Sequence, residues 1–153
     1  MKRFRPVTNP MLIGAIELMK SNSTPEHRKM VIEEMLHAMY LSPVNIDPKP
    51  VPDEKGISKV AADAKIAVPM LAAADGKHYF MAFTDIDELQ KWKKEEGQQI
   101  FGFSLVDYVR MVRTAKETCD GFVLNPFSHN IVMTRDMLET IAENNPQLFK
   151  TEE

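Results

Sequence analysis

Two side chains with metal-binding chemistry lie three residues apart in a segment with helical periodicity. Glu34 and His37 have the Glu-x-x-His spacing that aims a carboxylate and an imidazole to the same side of a helix in di-iron bundles. Such a centre needs two of these motifs, and the sequence has one. The alternative is a solvated helix face on which Glu33 and His37 form an exposed ion pair. The other histidines have no recognised ligand spacing, so we expect no metal site.

Nucleophilic residues also lack the neighbours that catalysis requires. Ser104 has a glycine two residues before it but none two residues after it, so the Gly-x-Ser-x-Gly nucleophile elbow is incomplete. Cys119 follows a predicted helix C-terminus, whose negative end disfavours a thiolate. The carboxylates of Asp85 and Asp87 suit the positive end of a helix. We therefore expect no catalytic residues, no enzyme activity and no cofactor.

Composition limits the class of protein further. The 153 residues carry 19 basic and 22 acidic side chains, a net charge of -3, which lacks the positive field that nucleic acids or anionic membranes attract. We expect neither partner. The apolar run after the basic first residues contains Glu17, which argues against a signal peptide. A single cysteine indicates a reducing compartment. The sequence predicts one cytoplasmic domain, residues 1–153.

The chain opens with two predicted helices. Asn-Pro at residues 9–10 and Thr-Pro at residues 24–25 are typical of helix starts, and they predict helices over residues 11–20 and 24–40. The first is apolar around almost its whole circumference, so it is either deeply buried or partly an interface. We expect Leu12 and Ile16 to contribute to an interface, either with a protein partner or in a homodimer.

A proline-rich segment follows the two helices. Four prolines lie between residues 43 and 52, which removes backbone donors and excludes helix over most of this stretch. Residues 44–46 could form a short edge strand. The sequence predicts an internal loop at about 43–58, with mobility in residues 47–58.

The second half alternates short strands with capped helices. Asp75-Gly76 suits a type I′ hairpin turn between residues 65–74 and 77–83, and turn-forming residues join strands 121–124 and 130–133 in a second hairpin. Thr84 with Asp87, and Ser104 with Asp107, have capping-box spacing, while Thr134 precedes the last helix. These patterns predict an α+β fold with a mixed or mainly antiparallel sheet, two N-terminal helices and three further helices.

Two motifs of this half carry a family resemblance. Phe-Thr-Asp-Ile-Asp-Glu-Leu-Gln-Lys-Trp at residues 83–92 follows a hairpin, and Gly-Phe-Val-Leu-Asn-Pro-Phe at 121–127 precedes Asn-Ile-Val-Met at 130–133. Together they resemble the N-terminal domain of the SseB family, the bacterial enhanced serine sensitivity proteins, from about residue 31 to 141. The resemblance implies a bacterial cytoplasmic protein of unsettled molecular role, without catalytic residues and in a stand-alone version that lacks the family's C-terminal domain.

These motifs also locate the expected binding surface. If they adjoin in the fold, the loop at residues 125–130 lies beside Asp85, and exposed loops on rigid scaffolds often carry binding residues. We expect Asp85, Asn125, Phe127 and His129 to contribute to binding, with Phe127 either an anchor for a partner or a cover for the core. The expected function is a non-enzymatic interaction or regulatory module. The alternative is a small-molecule domain that holds an anion at the start of the helix after Thr84.

The high count of eleven methionines has two interpretations. Several fall on apolar helix faces, where core filling is their usual role, and an adaptable binding surface is the alternative.

Overall fold

The computed structural model describes residues 7–48, 50, 51, 53–55, 57, 62–92 and 98–149. Within them the helices are α1 (Pro10–Ser21), α2 (Pro25–His37), α3 (Ile86–Trp92), α4 (Leu105–Thr114) and α5 (Arg135–Asn144). The strands are β1 (Met39–Asp47), β2 (Lys65–Ala67), β3 (Met70–Ala72), β4 (His78–Ala82), β5 (Gln99–Ser104), β6 (Gly121–Leu124) and β7 (Ile131–Thr134).

The strands form two sheets, which a single isolated β-bridge joins within the described residues. The first has the order β2-β1-β5 and is antiparallel, and the second has the order β3-β4-β6-β7 with one parallel pair, β4 and β6. Leu41 and Phe83 join the sheets through two backbone hydrogen bonds, of 2.8 and 2.9 Å. The predicted α+β class, the mainly antiparallel pairing and the five helices are confirmed.

The first helix is buried along one face. Leu12 and Ile16 are 2% and 0% exposed and lie in the main core with Met35 of α2. Their burial corrects the expectation that these two side chains form an interface, because they already pack inside their own chain. The exposed apolar residues of α1 are Met11 and Leu18.

The proline-rich segment begins as a strand. β1 runs through Pro43 and pairs with β5 along residues 39–44 and with β2 along residues 45–47. Backbone N–H groups alternate in direction along a strand, and Leu41 bonds to Phe83 on the side away from β5. The N–H that Pro43 lacks would point to that side too, between the Phe83 bridge and the first β2 pair. The strand tolerates proline there because no ladder bond is lost.

The predicted loop at 43–58 therefore starts too early. It begins after Asp47, where β1 ends. Residues 49, 52, 56 and 58 lie outside the described part of the chain, and the mobility of residues 47–58 stays a prediction.

The first hairpin is present, but its turn differs from the predicted type. Ala73 N–H donates to Lys77 O (2.7 Å) and Gly76 N–H to Ala73 O (3.0 Å), so the loop has three residues. Gly76 has a φ of +83°, whereas Asp75 does not adopt a positive φ, which excludes a type I′ turn. The predicted first strand is split at Val68 and Pro69, and its two parts, β2 and β3, lie in different sheets.

Side-chain caps form at three of the five helix starts for which the sequence predicted them. The side chains of Thr24, Ser104 and Thr134 cap α2, α4 and α5, and Ser104 forms the full capping box. Asn9 makes no side-chain cap bond at α1. The capping box expected from Thr84 is also absent at α3, because the neighbouring Asp85 accepts from Glu88 N–H (2.9 Å) instead.

Aromatic packing holds α4 against both sheets. The rings of Tyr40 and Tyr108 meet edge to face at 5.9 Å, and Tyr108 lies 4.8 Å from Phe122. Both phenols are buried and donate to backbone carbonyls, Tyr40 to Met35 and Tyr108 to Met81, each at 2.7 Å. Burial raises the pKa of both tyrosines. None of the helices within the described residues is long and apolar enough to cross a membrane.

Candidate functional site

Parallel pairing of β4 and β6 brings the two motifs together. Ala82 stands opposite Leu124 at the carboxyl ends of these strands, so the segment before α3 and the loop at residues 125–130 leave the sheet side by side. Asn125 N–H continues the ladder by donating to Ala82 O (2.8 Å). The expectation that the two motifs adjoin in space is confirmed.

Asn125 is the residue that fixes this junction. Its side chain is fully buried, its Oδ1 accepts from Thr84 N–H (3.0 Å), and its Nδ2 donates to Thr84 Oγ1 (3.0 Å). Its φ of +47° lies in the left-handed region, which asparagine tolerates better than most residues. Asn125 was predicted to contribute to the binding surface, and the structure gives its amide internal partners.

The rest of the loop is closed by further hydrogen bonds. Asn125 O accepts from the N–H groups of Ser128 (3.0 Å) and Asn130 (2.8 Å). Ser128 Oγ donates to Glu88 Oε1 of α3 at 2.5 Å, and Lys91 Nζ donates to Glu88 Oε2 at 2.8 Å. These bonds tie the loop to the sheet behind it and to the helix beside it.

The carboxyl of Glu88 responds to these contacts. Its partial burial raises the pKa, but the hydrogen bonds from Lys91 and Ser128 outweigh this effect, so the pKa is lowered. Glu88 is therefore held in its charged form beside the loop.

His129 is fixed in one tautomer by its neighbour. The Thr84 N–H can only donate, so the Asn125 side-chain atom that it contacts must be the amide oxygen, Oδ1. The amide nitrogen, Nδ2, is then the atom that lies 3.0 Å from His129 Nδ1. Nδ1 must then accept, which places the proton of the neutral ring on Nε2. Nε2 faces Glu17 Oε1 of α1 at 3.8 Å. The His129 side chain is 15% exposed and orders the loop.

Phe127 is the predicted site residue that remains on the surface. It is 48% exposed, although the loop residues around it bond to the sheet, to α3 and to α1. Of the two predicted roles for Phe127, the structure excludes the buried core cover.

Asp85 has a structural role at the start of α3. Its Oδ1 accepts from Glu88 N–H (2.9 Å) and its Oδ2 from Thr84 Oγ1 (3.0 Å). The N–H groups of Thr84 and Glu88 are thus taken by side chains of the chain itself. An anion at this helix start would also lie close to the carboxylate of Asp85, whose negative charge opposes its binding.

Within the described part of the chain, the candidates for metal binding and nucleophilic chemistry make no hydrogen bond to Thr84 or to the loop at residues 125–130. Glu34 and His37 line a cavity of about 200 Å³ at the start of α1, and among the described residues no three His, Cys, Asp or Glu side chains are grouped to hold a metal ion. Cys119 is 1% exposed, donates to Gly121 O at 3.1 Å, and has a pKa raised by burial. Ser104 is engaged in the capping box of α4.

Sequence reasoning missed four residues that build the junction. Thr84 was interpreted as a cap, whereas its buried hydroxyl and N–H both contact Asn125. Asn9 donates to Thr84 O (2.8 Å) and Met39 O (2.9 Å), and so ties α1 to both sheets. Glu17 and Glu88 contact the loop from two different helices. Asn9 and Thr84 each carried a local signal, as polar residues before a predicted helix, and in both cases that signal indicated a cap.

Comparison with known proteins identifies a family. No curated protein and no solved structure matches the chain. The family model described as the SseB protein N-terminal domain matches residues 12–140, a span from the first turn of α1 to within α5 that contains α3 and the loop at residues 125–130. The chain therefore belongs to the SseB family, as a relative of its N-terminal domain.

Proposed function

We propose that this chain is a non-enzymatic interaction module that binds a protein partner through Phe127. The observation that supports this most directly is a half-exposed aromatic side chain on a loop whose backbone is held by the buried Asn125. Large aromatic side chains supply much of the binding energy at protein interfaces. A loop that is ordered before binding loses little conformational entropy when it docks.

An exposed carboxylate near this anchor suggests the chemistry of the partner. His129, two residues after Phe127, faces Glu17, whose side chain is 68% exposed, whereas the charge of Glu88 is already paired with Lys91. A matching surface would have an apolar pocket for the ring and Lys or Arg side chains at its border. We infer that charge contributes to recognition and that salt weakens the complex.

The polar residues of the junction support a binding role better than a catalytic one. The side chains of Asn125, Thr84 and Asp85 are all hydrogen-bonded within the chain. His129 Nδ1 accepts from Asn125, so it is not free to remove a proton from a substrate. We place the protein in the cytoplasm, a proposal that its single, buried cysteine supports.

Affinity purification from the native host tests the proposal. The original chain, Phe127→Ala and Ile66→Ala are compared, and Ile66 is a suitable control because it is 52% exposed on β2. We expect Phe127→Ala to lose the recurrent partner while its melting temperature changes by less than about 3 °C. Ile66→Ala should retain the partner. Retention of the same partner by Phe127→Ala contradicts the proposal.

A further inference from the structure

A second surface lies at the opposite side of the four-stranded sheet, where β3 forms the edge. β3 pairs with β4 on one side only. Residues 66–74, which include it, contain no charged side chain, although charged side chains are a common protection of exposed strand edges.

The register shows which backbone groups face outward. Ala73 N–H bonds to Lys77 O, so the peptide groups of Ala73 and, two residues earlier, of Leu71 point toward β4. Those of Met70 and Ala72 therefore point away from it. No hydrogen bond from another described residue reaches these outward groups. Each can give one N–H and one C=O to an added strand.

An apolar groove runs beside this edge. It has a volume of about 410 Å³ and lies between the β3–β4 pair and α4. Its apolar lining comes from Val68, Met70, Phe80, Met111 and Ala115. Side chains of a strand added to β3 would alternate between this groove and the opposite face of the sheet.

A single charged side chain lines the groove among the described residues, and it is a cation. Arg110 of α4 is exposed, and within the described chain no carboxylate is paired with it. By contrast, Arg113 on the same helix is paired with Glu139 at 2.6 Å. The groove thus has one cationic position that a carboxylate from another molecule would complement.

We propose that the β3 edge binds an extended peptide segment of another protein, with apolar side chains that enter the groove and a carboxylate that pairs with Arg110. Backbone hydrogen bonds to Met70 and Ala72 hold the segment as an additional strand. The apolar side chains and the carboxylate select its sequence. This surface is separate from the Phe127 loop, which lies between the last two strands of the sheet. A result that contradicts one of the two proposals therefore leaves the other unaffected.

The test uses a capped octapeptide whose alternate, groove-facing positions carry three valines and one glutamate, with threonine at the positions between them. Amide hydrogen exchange of the full-length protein is followed by NMR during titration, and binding is measured by fluorescence anisotropy. We expect the peptide to slow exchange at Met70 and Ala72 with little change at Leu71, which already bonds to β4. A peptide with lysine in place of glutamate should bind more weakly. One with methylated backbone nitrogens should not bind.

Variants on α4 test the charge contact. Arg110→Gln should weaken binding by about fivefold, as expected for the loss of one exposed ion pair, whereas Lys116→Gln, beyond the end of the same helix, should leave it unchanged. Equal binding of the acidic and basic peptides overturns the proposal. So does slow exchange at Met70 and Ala72 in the free protein, since the chain itself would then cover the edge. Protection from exchange at these two residues that increases with protein concentration also overturns the proposal, because a second copy of the chain would then cover the edge.

Discussion

Replacement of Asn125 by alanine tests the junction that holds the loop. The substitution removes the acceptor of Thr84 N–H in a fully buried site, and an unsatisfied buried donor costs about 2 kcal/mol. It also places alanine at a φ of +47°, which costs about 1 kcal/mol. The expected loss in the free energy of unfolding is therefore about 3 kcal/mol, or roughly 6–12 °C in melting temperature.

Asn130 offers a matched control within the same loop. It has a similar φ of +52°, but it is exposed and its side chain makes no hydrogen bond to another described residue. Asn130→Ala should thus lose only the conformational part, about 1 kcal/mol. The difference between the two variants isolates the buried amide of Asn125.

Urea denaturation of the original chain and both variants gives these values from the transition midpoints. Asn125→Asp adds a further comparison, because it keeps the acceptor for Thr84 N–H and loses the donor to Thr84 Oγ1 and His129 Nδ1. We expect its stability to lie between those of Asn125→Ala and the original chain at neutral pH. Equal losses in Asn125→Ala and Asn130→Ala would refute the assignment of Asn125 as the residue that fixes the junction.

Three further predictions follow from burial and charge. Because the folded state lowers the pKa of Glu88, this carboxylate contributes stability above its unfolded pKa of about 4.3 that is lost at more acidic pH; acid denaturation curves should show a smaller loss for Glu88→Gln. Ile16→Ala should reduce the free energy of unfolding by about 2–5 kcal/mol, measured in urea, while Met11→Ala, at a side chain that is 71% exposed, should change it by less than about 0.5 kcal/mol. The thiol of Cys119 should react with Ellman's reagent only after denaturation, because burial both raises its pKa and blocks access; rapid reaction of the native protein contradicts this.

Features that depend on neighbouring residues were the ones that could be predicted from the sequence. The caps at Thr24, Ser104 and Thr134 need only a side chain and an amide three residues later. The two hairpins likewise follow from turn residues between apolar segments. The family resemblance was carried by two such local segments, and the match over residues 12–140 confirms it.

Features set by contacts between distant segments could not be predicted in this way. Pro43 fits inside β1 because of the position of the Phe83 bridge, which the sequence near Pro43 does not reveal. Asn125 was interpreted as a turn former and a binding residue, but its amide is buried against Thr84, 41 residues earlier in the chain. The apolar face of α1 suggested an interface at Leu12 and Ile16, and only the packing of α2 and the sheets reveals that these residues are covered.

Photo-crosslinking from position 127 is the most direct test of the proposed interaction role. Phe127 is replaced by benzoylphenylalanine in the native host, and the same replacement of the exposed Ile66 on β2 serves as the control. The ring at position 127 should give a discrete crosslinked product containing one recurrent protein, and basic residues should surround its attachment point. An equal pattern of products from positions 127 and 66, or none from position 127, would contradict a partner-binding role for this loop.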